Sequence, residues 1–381
     1  MKQEVFWKNP KYRERPFLRE NLNCQYLIVG GGVTGVSLAY FLQKAGVKDI
    51  VLLEKDIIAG GATGKAAGIL TPHAELDVVE MFEKLGKKKG LLWYHSSLDA
   101  LHLMKHIVRE EKIHCDYEEE PTYYAALRGQ DVYKVFKEYN VLKKDYHRTQ
   151  FLLSSQLRQG LYSPVVSKEV VIFQGASINP LAYTQELSLH LGRRVRVYEQ
   201  SPVLIIKGNI ALTPQGSVRF RRLIDVRDYA SSVRGIQRCL TTVIVTDRLT
   251  RRQLAALEHH GKFIFLDAKK NCDYLKVTKD GRLLAGFGDM RSSTFKGKVY
   301  LPHVKHLKSE IKRLFPHLDA KIAYAWSAHL GVTKNYLPHV LFDQKKIVLA
   351  GTSSQVVSTL LAQYTANRLM GKKQALDIIF K

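Results

Sequence analysis

The sequence predicts an α/β fold, and three observations support that prediction. A compact unit of strand, glycine-rich turn, helix and second strand occupies residues 25–54 of the 381-residue chain. The length of the chain is that of two or three domains and is ample for a large core. Hydrophobic residues make up 45% of the chain and charged residues 25%, which are the proportions of a globular protein.

The first unit has the glycine spacing of a dinucleotide-binding turn. An apolar run is followed by Gly30, Gly32 and Gly35 in G-x-G-x-x-G spacing. The three glycines would allow, in order, a tight turn, close approach of backbone to a pyrophosphate, and packing of helix on strand. The following helix contains Val33 and Thr34, and its N-terminus offers N–H groups and a positive dipole end to phosphates.

The acid after the second strand narrows the kind of cofactor. Glu54 follows the apolar run of residues 50–53 and is placed to accept hydrogen bonds from a ribose diol. An acid at this position disfavours a 2′-phosphate, so we expect no phosphorylated nicotinamide cofactor here. A second cluster of small residues, 60–68, follows directly. A flavin cofactor, which lies extended along the backbone, needs such a second turn, whereas a nicotinamide cofactor does not.

The second cluster resembles the D-amino-acid oxidase-like family of FAD enzymes, which includes glycine oxidase, sarcosine oxidase and γ-glutamylputrescine oxidase. That family commonly carries E-x-x-x-x-x-x-G-A-T-G-R-x-A-G here, and Lys65 in this chain replaces the arginine. A lysine keeps the charge but loses the planar fork of the guanidinium. The resemblance spans roughly residues 22–371. It implies non-covalent FAD, bound in this part of the chain by Gly30, Gly32, Val33, Thr34, Gly35, Glu54, Lys55, Ala62, Thr63, Ala67, Gly68 and Ile69.

The resemblance also implies the domain organisation. It predicts a discontinuous, Rossmann-like FAD-binding domain of three layers and a second, substrate domain built on an antiparallel sheet. The alternating charges and aromatic residues of the first 21 residues predict an extended arm on the surface. The predicted divisions are an arm at 1–21, the FAD-binding domain at 22–95, 165–250 and 325–381, and the substrate domain at 96–164 and 251–324.

Local patterns place the elements between these anchors. Periodicity predicts helices over most of residues 77–111 and 131–158, and the residues 123–127 form a predicted strand. Asn179 and Pro180 have the residue types of a helix N-cap and first helical position. Residues 264–288 read as two strands joined by a Lys-Asp-Gly turn. In the related enzymes a valine at the place of Val203 touches the adenine through its backbone.

The C-terminal third resembles the segments that complete the flavin site in this family. The apolar run 240–246 resembles another family strand. Relatives often place an arginine near Leu330 to hold a substrate carboxylate, which a leucine cannot do. Residues 352–355 resemble the loop that returns to the flavin, so Ser353, Ser354 and Gln355 are further cofactor candidates. The following helix is expected to aim its N-terminus at the flavin O2 edge. No cysteine lies near Thr333, which argues against a cysteinyl-flavin.

Three side chains are candidates for the chemistry. Tyr274 matches a position in the sheet that covers the substrate, although a half-buried sheet aromatic would give the same pattern. His73 follows the second cluster and could face the isoalloxazine ring, and His329 is expected on the pocket floor. Either histidine could deprotonate an ammonium substrate, because its pKa lies near neutral pH. Ordinary core or surface roles for both stay open. No metal-ligand spacing occurs, so no metal is expected.

Bulk charge and segment composition constrain the setting. The net charge is +24, in scattered clusters at 87–89, 193–196 and 219–222. We expect a solvated basic surface and no nucleic-acid partner, with peripheral membrane contact left open. No apolar run reaches eighteen residues, the N-terminus lacks a secretory h-region, and the four cysteines show no C-x-x-C spacing. These features predict a cytoplasmic protein.

The sequence thus favours an FAD-dependent oxidoreductase that oxidises the C–N bond of an amine or amino acid to an imine by hydride transfer to flavin N5. Oxygen or another acceptor would then take the electrons. Leu330 favours a secondary amine or polyamine derivative, although an α-amino acid held by another arginine, such as Arg282, stays open. Two alternatives remain: an FAD dehydrogenase of a hydroxy-compound that feeds a membrane acceptor, and a flavin-binding scaffold without turnover.

Overall fold

Two β-sheets and the helices between them form the computed structural model, which describes residues 1–73, 76–145, 149–153, 169–228, 235–257, 262–289, 294–352 and 354–380. The strands are β1 (Asn21–Val29), β2 (Ile50–Leu53), β3 (Ile69–Leu70), β4 (Glu118–Ala126), β5 (Gln150–Leu153), β6 (Glu169–Ser177), β7 (Val195–Tyr198), β8 (Ile205–Lys207), β9 (Ile210–Leu212), β10 (Ser217–Asp225), β11 (Ile236–Arg248), β12 (Ile264–Asp267), β13 (Tyr274–Val277), β14 (Arg282–Asp289), β15 (Ile322–Thr333), β16 (His339–Phe342) and β17 (Lys346–Ala350). The helices are α1 (Val33–Lys44), α2 (Val78–Leu85), α3 (Lys87–Glu110), α4 (Val132–Asp145), α5 (Pro180–Leu189), α6 (Arg251–Leu257), α7 (Leu301–Leu314) and α8 (Gln355–Leu369).

The first sheet is the Rossmann-like one. Its order is β16-β17-β10-β1-β2-β7, and the pairs from β17 to β7 are parallel. The strands β8 and β9 form a hairpin on the edge of β10. Both faces of β1 and β2 are buried, because α1 and α8 cover one face and the hairpin covers the other. This double burial explains why residues 26–29 and 50–53 read as continuous apolar runs.

The second sheet is mostly antiparallel. Its order is β15-β11-β14-β13-β12-β4-β6-β3, with β5 paired to β6 and a single parallel contact between β12 and β4 among the pairs described. Helix α7 packs on one face through Val304, Leu307 and Ile311. The other face turns toward the second glycine cluster. The predicted α/β fold, with one Rossmann-like and one antiparallel sheet, is confirmed.

Several elements differ from their sequence predictions. The helix predicted over 131–158 ends at Asp145, and Gln150–Leu153 is a strand of the second sheet; residues 154–158 lie outside the described part of the chain. Residues 264–288 contain three strands, because 264–267 pairs separately with β13. The Lys-Asp-Gly turn does join β13 to β14, and Gly281 has φ +78° there. Asn179 caps α5 as predicted, accepting from the Ala182 N–H.

The N-terminal arm is not a surface feature alone, contrary to its prediction. Trp7 and Leu18 are buried. The Tyr12 hydroxyl and the Arg15 N–H both donate to the fully buried carboxylate of Glu199, which also accepts from the backbone of the segment after β2. Breaking the hydrogen bonds of a buried carboxylate costs free energy, so these bonds fix the arm to the first sheet.

The two sheets do not follow the predicted domain division strand by strand. β6, β11 and most of β15 come from segments predicted for the FAD-binding domain, yet they lie in the second sheet. The run 240–246 is part of β11, antiparallel to β14 and β15. The strand beside β1 in the first sheet is β10. The boundaries of the two domains stay a prediction.

Candidate functional site

The first glycine turn lies between the end of β1 and the start of α1. Gly30 has φ +121°, and its N–H donates to the Leu53 carbonyl at 2.9 Å. A Cβ at Gly35 would lie 2.0 Å from the Gly30 carbonyl oxygen, so helix and turn meet at contact distance. A Cβ at Gly31 would lie 2.8 Å from the Cβ atom of Glu54. The spacing motif leaves that position open, so sequence reasoning missed the requirement for glycine at Gly31.

Glu54 stands at the rim of this turn, as the sequence predicts. Its carboxylate accepts from the Gly31 N–H at 2.6 Å and from the Asp56 N–H at 3.0 Å. The residue is 8% exposed, and burial raises the pKa of the carboxyl despite these two donors. Two backbone bonds leave lone pairs on both oxygens, which a ribose diol could fill.

Two helix N-termini meet at the turn. The Val33 N–H at the start of α1 donates to Thr63 Oγ1 at 3.1 Å. The Thr34 hydroxyl lies 3.5 Å from the hydroxyl of Thr352, just before α8. Helix α8 begins after Ser354, its N-cap residue, whereas Ser353 lies outside the described residues. Two positive dipole ends at one place favour an anionic ligand such as a diphosphate.

The residues at this junction fit an extended, phosphate-bearing cofactor. Gln355, the first residue of α8, is 7% exposed, and among the described residues neither its Oε1 nor its Nε2 has a hydrogen-bond partner. A buried amide without partners costs free energy unless a ligand satisfies it. Added Cβ atoms at Gly64 and Gly68 would come within 2.3 Å and 2.1 Å of backbone oxygens, so both glycine clusters are tightly built.

Three donors from distant parts of the chain hold the second glycine cluster. The indole N–H of Trp326 donates to the Lys65 carbonyl at 2.8 Å, and that of Trp7 donates to the Ala66 carbonyl at 2.8 Å. The Lys276 ammonium donates to the Gly68 carbonyl at 3.2 Å. Sequence reasoning missed Trp7 and Lys276 entirely. In the sequence, these two residues are marked only by a large aromatic or a charged side chain in a segment that carries no other motif.

The remaining cofactor candidates surround these contacts. Lys55 and Ala62 are exposed, while Thr63, Ala67 and Ile69 are half-buried. Val203 packs on the far face of the first sheet, near the Ser201 N–H that donates to the Glu54 carbonyl at 2.8 Å. The Ser201–Glu54 bond brings the segment before Val203 against the end of β2. Their individual contacts with FAD stay predictions.

The face of the second sheet that turns toward the second glycine cluster is called the loop face below. It is defined by Trp326, Ala328 and Leu330 on β15 and by Tyr274 and Lys276 on β13, since alternate residues of a strand share a face. The Tyr274 hydroxyl lies 3.1 Å from Thr241 Oγ1 on β11. Its ring lies over Gly286, where an added Cβ would be 2.2 Å away. Tyr274 therefore lies flat on the loop face.

His329 lies on the opposite face from Trp326. It shares that face with Ser327, whose hydroxyl is 2.7 Å from Thr242 Oγ1, and Thr242 in turn is 3.0 Å from Nδ1 of His303 on α7. β15 pairs with β11 in unbroken register across residues 325–333. This arrangement counts against the predicted position of His329 on the pocket floor, because the sheet itself separates it from the second glycine cluster.

His73 is buried in an aromatic cluster at the far end of the loop face. Its ring centroid lies 4.3 Å from that of Phe173 and 5.9 Å from that of Tyr124. Its Nε2 is 2.7 Å from Oε1 of the fully buried Glu138, whose carboxylate also accepts from the first N–H groups of α2. One strand, β12, separates Tyr124 from Tyr274, and its residue Leu266 is in register with both. The structure thus does not bring the three catalytic candidates together.

Within the described ranges, no group of three or more His, Cys, Asp or Glu side chains is arranged to hold a metal ion. Of the helices described, none combines the length and the apolar character needed to cross a membrane.

Comparison with known proteins gives one family and several relatives. The family described as FAD dependent oxidoreductase (DAO) matches residues 25–368, which is most of the chain. Gamma-glutamylputrescine oxidoreductase of Escherichia coli is 25% identical over 386 residues, covering 96% of this chain and 88% of that protein. A putative Rieske 2Fe-2S iron-sulfur protein of Bacillus subtilis is 28% identical over 210 residues. That match covers 54% of this chain but only 39% of the longer relative.

Among solved structures, glycine oxidase from Geobacillus kaustophilus superposes on this chain with a TM-score of 0.78. The match covers 94% of this chain and 98% of that one, at 17% sequence identity. At this level of identity the likeness shows the fold, and the two-sheet arrangement described above is the part that is shared.

Proposed function

This chain belongs to the FAD dependent oxidoreductase family, and on that basis we propose that it oxidises the C–N bond of an amine or amino acid to an imine. FAD is its cofactor, and when bound it supplies a hydride acceptor at flavin N5. The substrate amine loses a hydride from its α-carbon and the N–H proton from nitrogen. Water then hydrolyses the imine to a carbonyl compound and a smaller amine or ammonia.

The residues of the cofactor site bind and orient FAD in this proposal. Glu54 would accept from the ribose diol, and the N-termini of α1 and α8 would face the diphosphate and the flavin respectively. The unsatisfied amide of Gln355 is the single observation that supports the FAD site most directly, because it lies buried at the start of α8 without a partner among the described residues. Holding both reactants in one geometry is the protein's main contribution to such chemistry.

The loop face would position the substrate and exclude water. Leu330 shares this face with Ala328 and Trp326, and it offers no group for a substrate carboxylate. A secondary amine or polyamine derivative, held by apolar and aromatic contacts, therefore fits better than a free α-amino acid. The hydroxyls of Tyr274 and Thr241 form a polar pair on this face. Thr241 lies on β11, the strand that pairs with the strand of Leu330. We propose that it orients the amine nitrogen.

The name of the Escherichia coli relative supports an amine substrate, because that protein is named for oxidation of a polyamine derivative. Oxygen or another electron acceptor would restore the oxidised cofactor. A cytoplasmic location and a contact of the basic surface with a membrane are also proposals.

The test is anaerobic bleaching of the flavin spectrum. Purified holoprotein is mixed with secondary amines, polyamine derivatives, α-amino acids and hydroxy-compounds, and absorbance is followed in the visible range. Bleaching by one amine class, with the matching carbonyl product, is the expected result. Bleaching by a hydroxy-compound alone would replace the amine proposal with a dehydrogenase, and quinone dependence would point to a membrane acceptor. A flavin that no compound bleaches would support a scaffold without turnover.

A further inference from the structure

Lys276 is a charged side chain at a place where the proposed activity requires none. It lies on the loop face of β13 and is 3% exposed. Its ammonium donates to the Gly68 carbonyl at 3.2 Å and lies 5.5 Å from the ring centroid of Trp7. A buried ammonium persists only where nearby groups compensate for lost hydration. Its position against the second glycine cluster therefore calls for an explanation.

The Gly68 carbonyl belongs to the Gly68–Ile69 peptide, and the N–H of this peptide points away from the neighbouring strand β6. The Ile178 N–H on the β6 side donates to the same Gly68 oxygen at 2.9 Å. In an antiparallel ladder successive backbone groups alternate in direction, and Ile69 pairs with Ser177. The Ile69 N–H consequently points to the outer edge of β3, which ends the sheet among the described strands. Ile69 is itself one of the candidates for FAD binding in the second glycine cluster.

The Gly68–Ile69 peptide thus has Lys276 at its carbonyl and an N–H donor directed to the open edge. A cation at a peptide oxygen draws electron density from that peptide, so it strengthens the N–H on the opposite side. The positive charge itself also acts across the short distance, because burial reduces screening. Both effects favour negative charge on a group that lies against Ile69.

We propose that Lys276 is a positioning residue of the FAD site, which raises the reduction potential of the bound flavin through the Gly68–Ile69 peptide. The proposal rests on FAD binding at this site and not on the identity of the substrate. Reduction adds two electrons to the flavin ring, and a nearby positive charge stabilises the negative charge that results.

The surroundings of Lys276 make its charge pH-dependent. Burial lowers the pKa of the ammonium to about 8, although nearby carboxylates oppose this shift. Burial also raises the pKa of Glu120, one oxygen of which has no hydrogen-bond partner among the described residues. Below pH 8 the ammonium is charged, and above it the charge is lost. The titratable groups that face Lys276 or line the adjoining cavity of about 370 Å³ are Lys8, Asp116, Glu118, Glu120, Lys262, Lys279 and Asp280.

The test measures the reduction potential of bound FAD by dye-mediated titration with dithionite between pH 6 and pH 10. The proteins compared are wild type, Lys276→Met and Lys276→Arg, each as holoprotein. The flavin's own proton uptake is common to all three, so differences between them isolate the side chain. Lys279→Met is the matched control, because Lys279 is exposed and paired with Asp116 at 2.9 Å.

The expected result is a lower potential in Lys276→Met than in wild type below pH 8, with the two curves converging above it. Lys276→Arg keeps its charge and should follow the low-pH wild-type behaviour over the whole range. Lys279→Met should overlay wild type. A wild-type minus Lys276→Met difference that is zero or independent of pH would overturn the proposal.

A variant that loses FAD does not leave the question open. If Lys276→Met cannot hold FAD, wild type and Lys276→Arg still diverge above pH 8 when the proposal is right and coincide when it is wrong. Dithionite reduces the flavin without any substrate. An error in the proposed amine chemistry would therefore leave this measurement unchanged, and the two failures can be distinguished.

Discussion

The cofactor site takes most of its groups from the backbone of residues 30–35 and 60–69, with the side chains of Glu54 and Gln355. The loop face takes its groups from side chains on strands far apart in sequence. Glycine spacing and helix starts are local patterns, so one stretch of sequence reveals the first region. A side chain on the loop face is defined by its strand's register and by the face it occupies. One residue of register reverses that face, as the positions of His329 and Leu330 show.

Gly35→Ala should break the backbone-built site and have the largest effect. Its Cβ would lie 2.0 Å from the Gly30 oxygen, so α1 must move away from β1. Overpacking of about 1–3 kcal/mol predicts FAD binding weaker by up to about 100-fold. Flavin content and the dissociation constant of FAD are the measurements. Gly61→Ala is the matched control, since an added Cβ there meets nothing within 4 Å. Equal loss in both variants would contradict the packing argument.

Glu54→Gln should weaken FAD binding by about 10- to 100-fold, because hydrogen bonds to a charged group contribute about 1.5–3 kcal/mol. It should also change the stability of the FAD-free protein. Burial raises the pKa of Glu54, so the folded state binds its proton more tightly than the unfolded state does. Wild-type stability should therefore fall, relative to Glu54→Gln, as pH rises above about the ordinary glutamate pKa.

Denaturant unfolding at several pH values, with FAD titration of each protein, measures both effects of Glu54→Gln. Glu83→Gln is the control, because Glu83 is an exposed glutamate outside the cofactor candidates. A glutamine variant that binds FAD as tightly as wild type would remove Glu54 from the cofactor site.

Leu330→Arg would add to the loop face a carboxylate-binding group that leucine does not provide. The KM for carboxylate-bearing amines should fall about tenfold, because a bidentate arginine–carboxylate pair contributes roughly 1.5–3 kcal/mol before desolvation costs. Steady-state kinetics with paired substrates, with and without a carboxylate, measures the change. Leu330→Met keeps the face apolar and should give no such gain. An unchanged substrate preference in the arginine variant would place the substrate elsewhere.

His329→Gln should have the smallest effect, because His329 faces away from the second glycine cluster. We expect kcat/KM to stay within about twofold of wild type, which is a change below about 0.5 kcal/mol. Tyr274→Phe, which removes a hydroxyl on the loop face, should lower kcat/KM more. A large loss of kcat/KM in His329→Gln, with normal FAD content, would show that the face of the sheet that carries His329 takes part in the reaction.

The sequence predicted the first strand–turn–helix unit well and the other elements unevenly. Gly30, Gly35 and Glu54 lie where their spacing places them, because each acts within one strand–turn–helix unit. The strand β10 escaped notice, since Arg219, Arg221 and Arg222 read as a basic cluster on a solvated surface. Trp7 and Lys276 could not be predicted from sequence. Their partners are the carbonyls of Ala66 and Gly68, and any residue has a carbonyl.

The pairing of β1 with β10 has a consequence for folding. Leu27 is in register with Leu223, so the strand that leads into the first glycine turn completes its hydrogen bonds only when a distant segment arrives. Such non-local parallel pairing is slow to form. Until β10 arrives, β1 is paired on one side alone, with β2. FAD is therefore retained by molecules in which this pairing is complete. A preparation that shows the yellow colour of bound flavin consists of molecules that have finished folding.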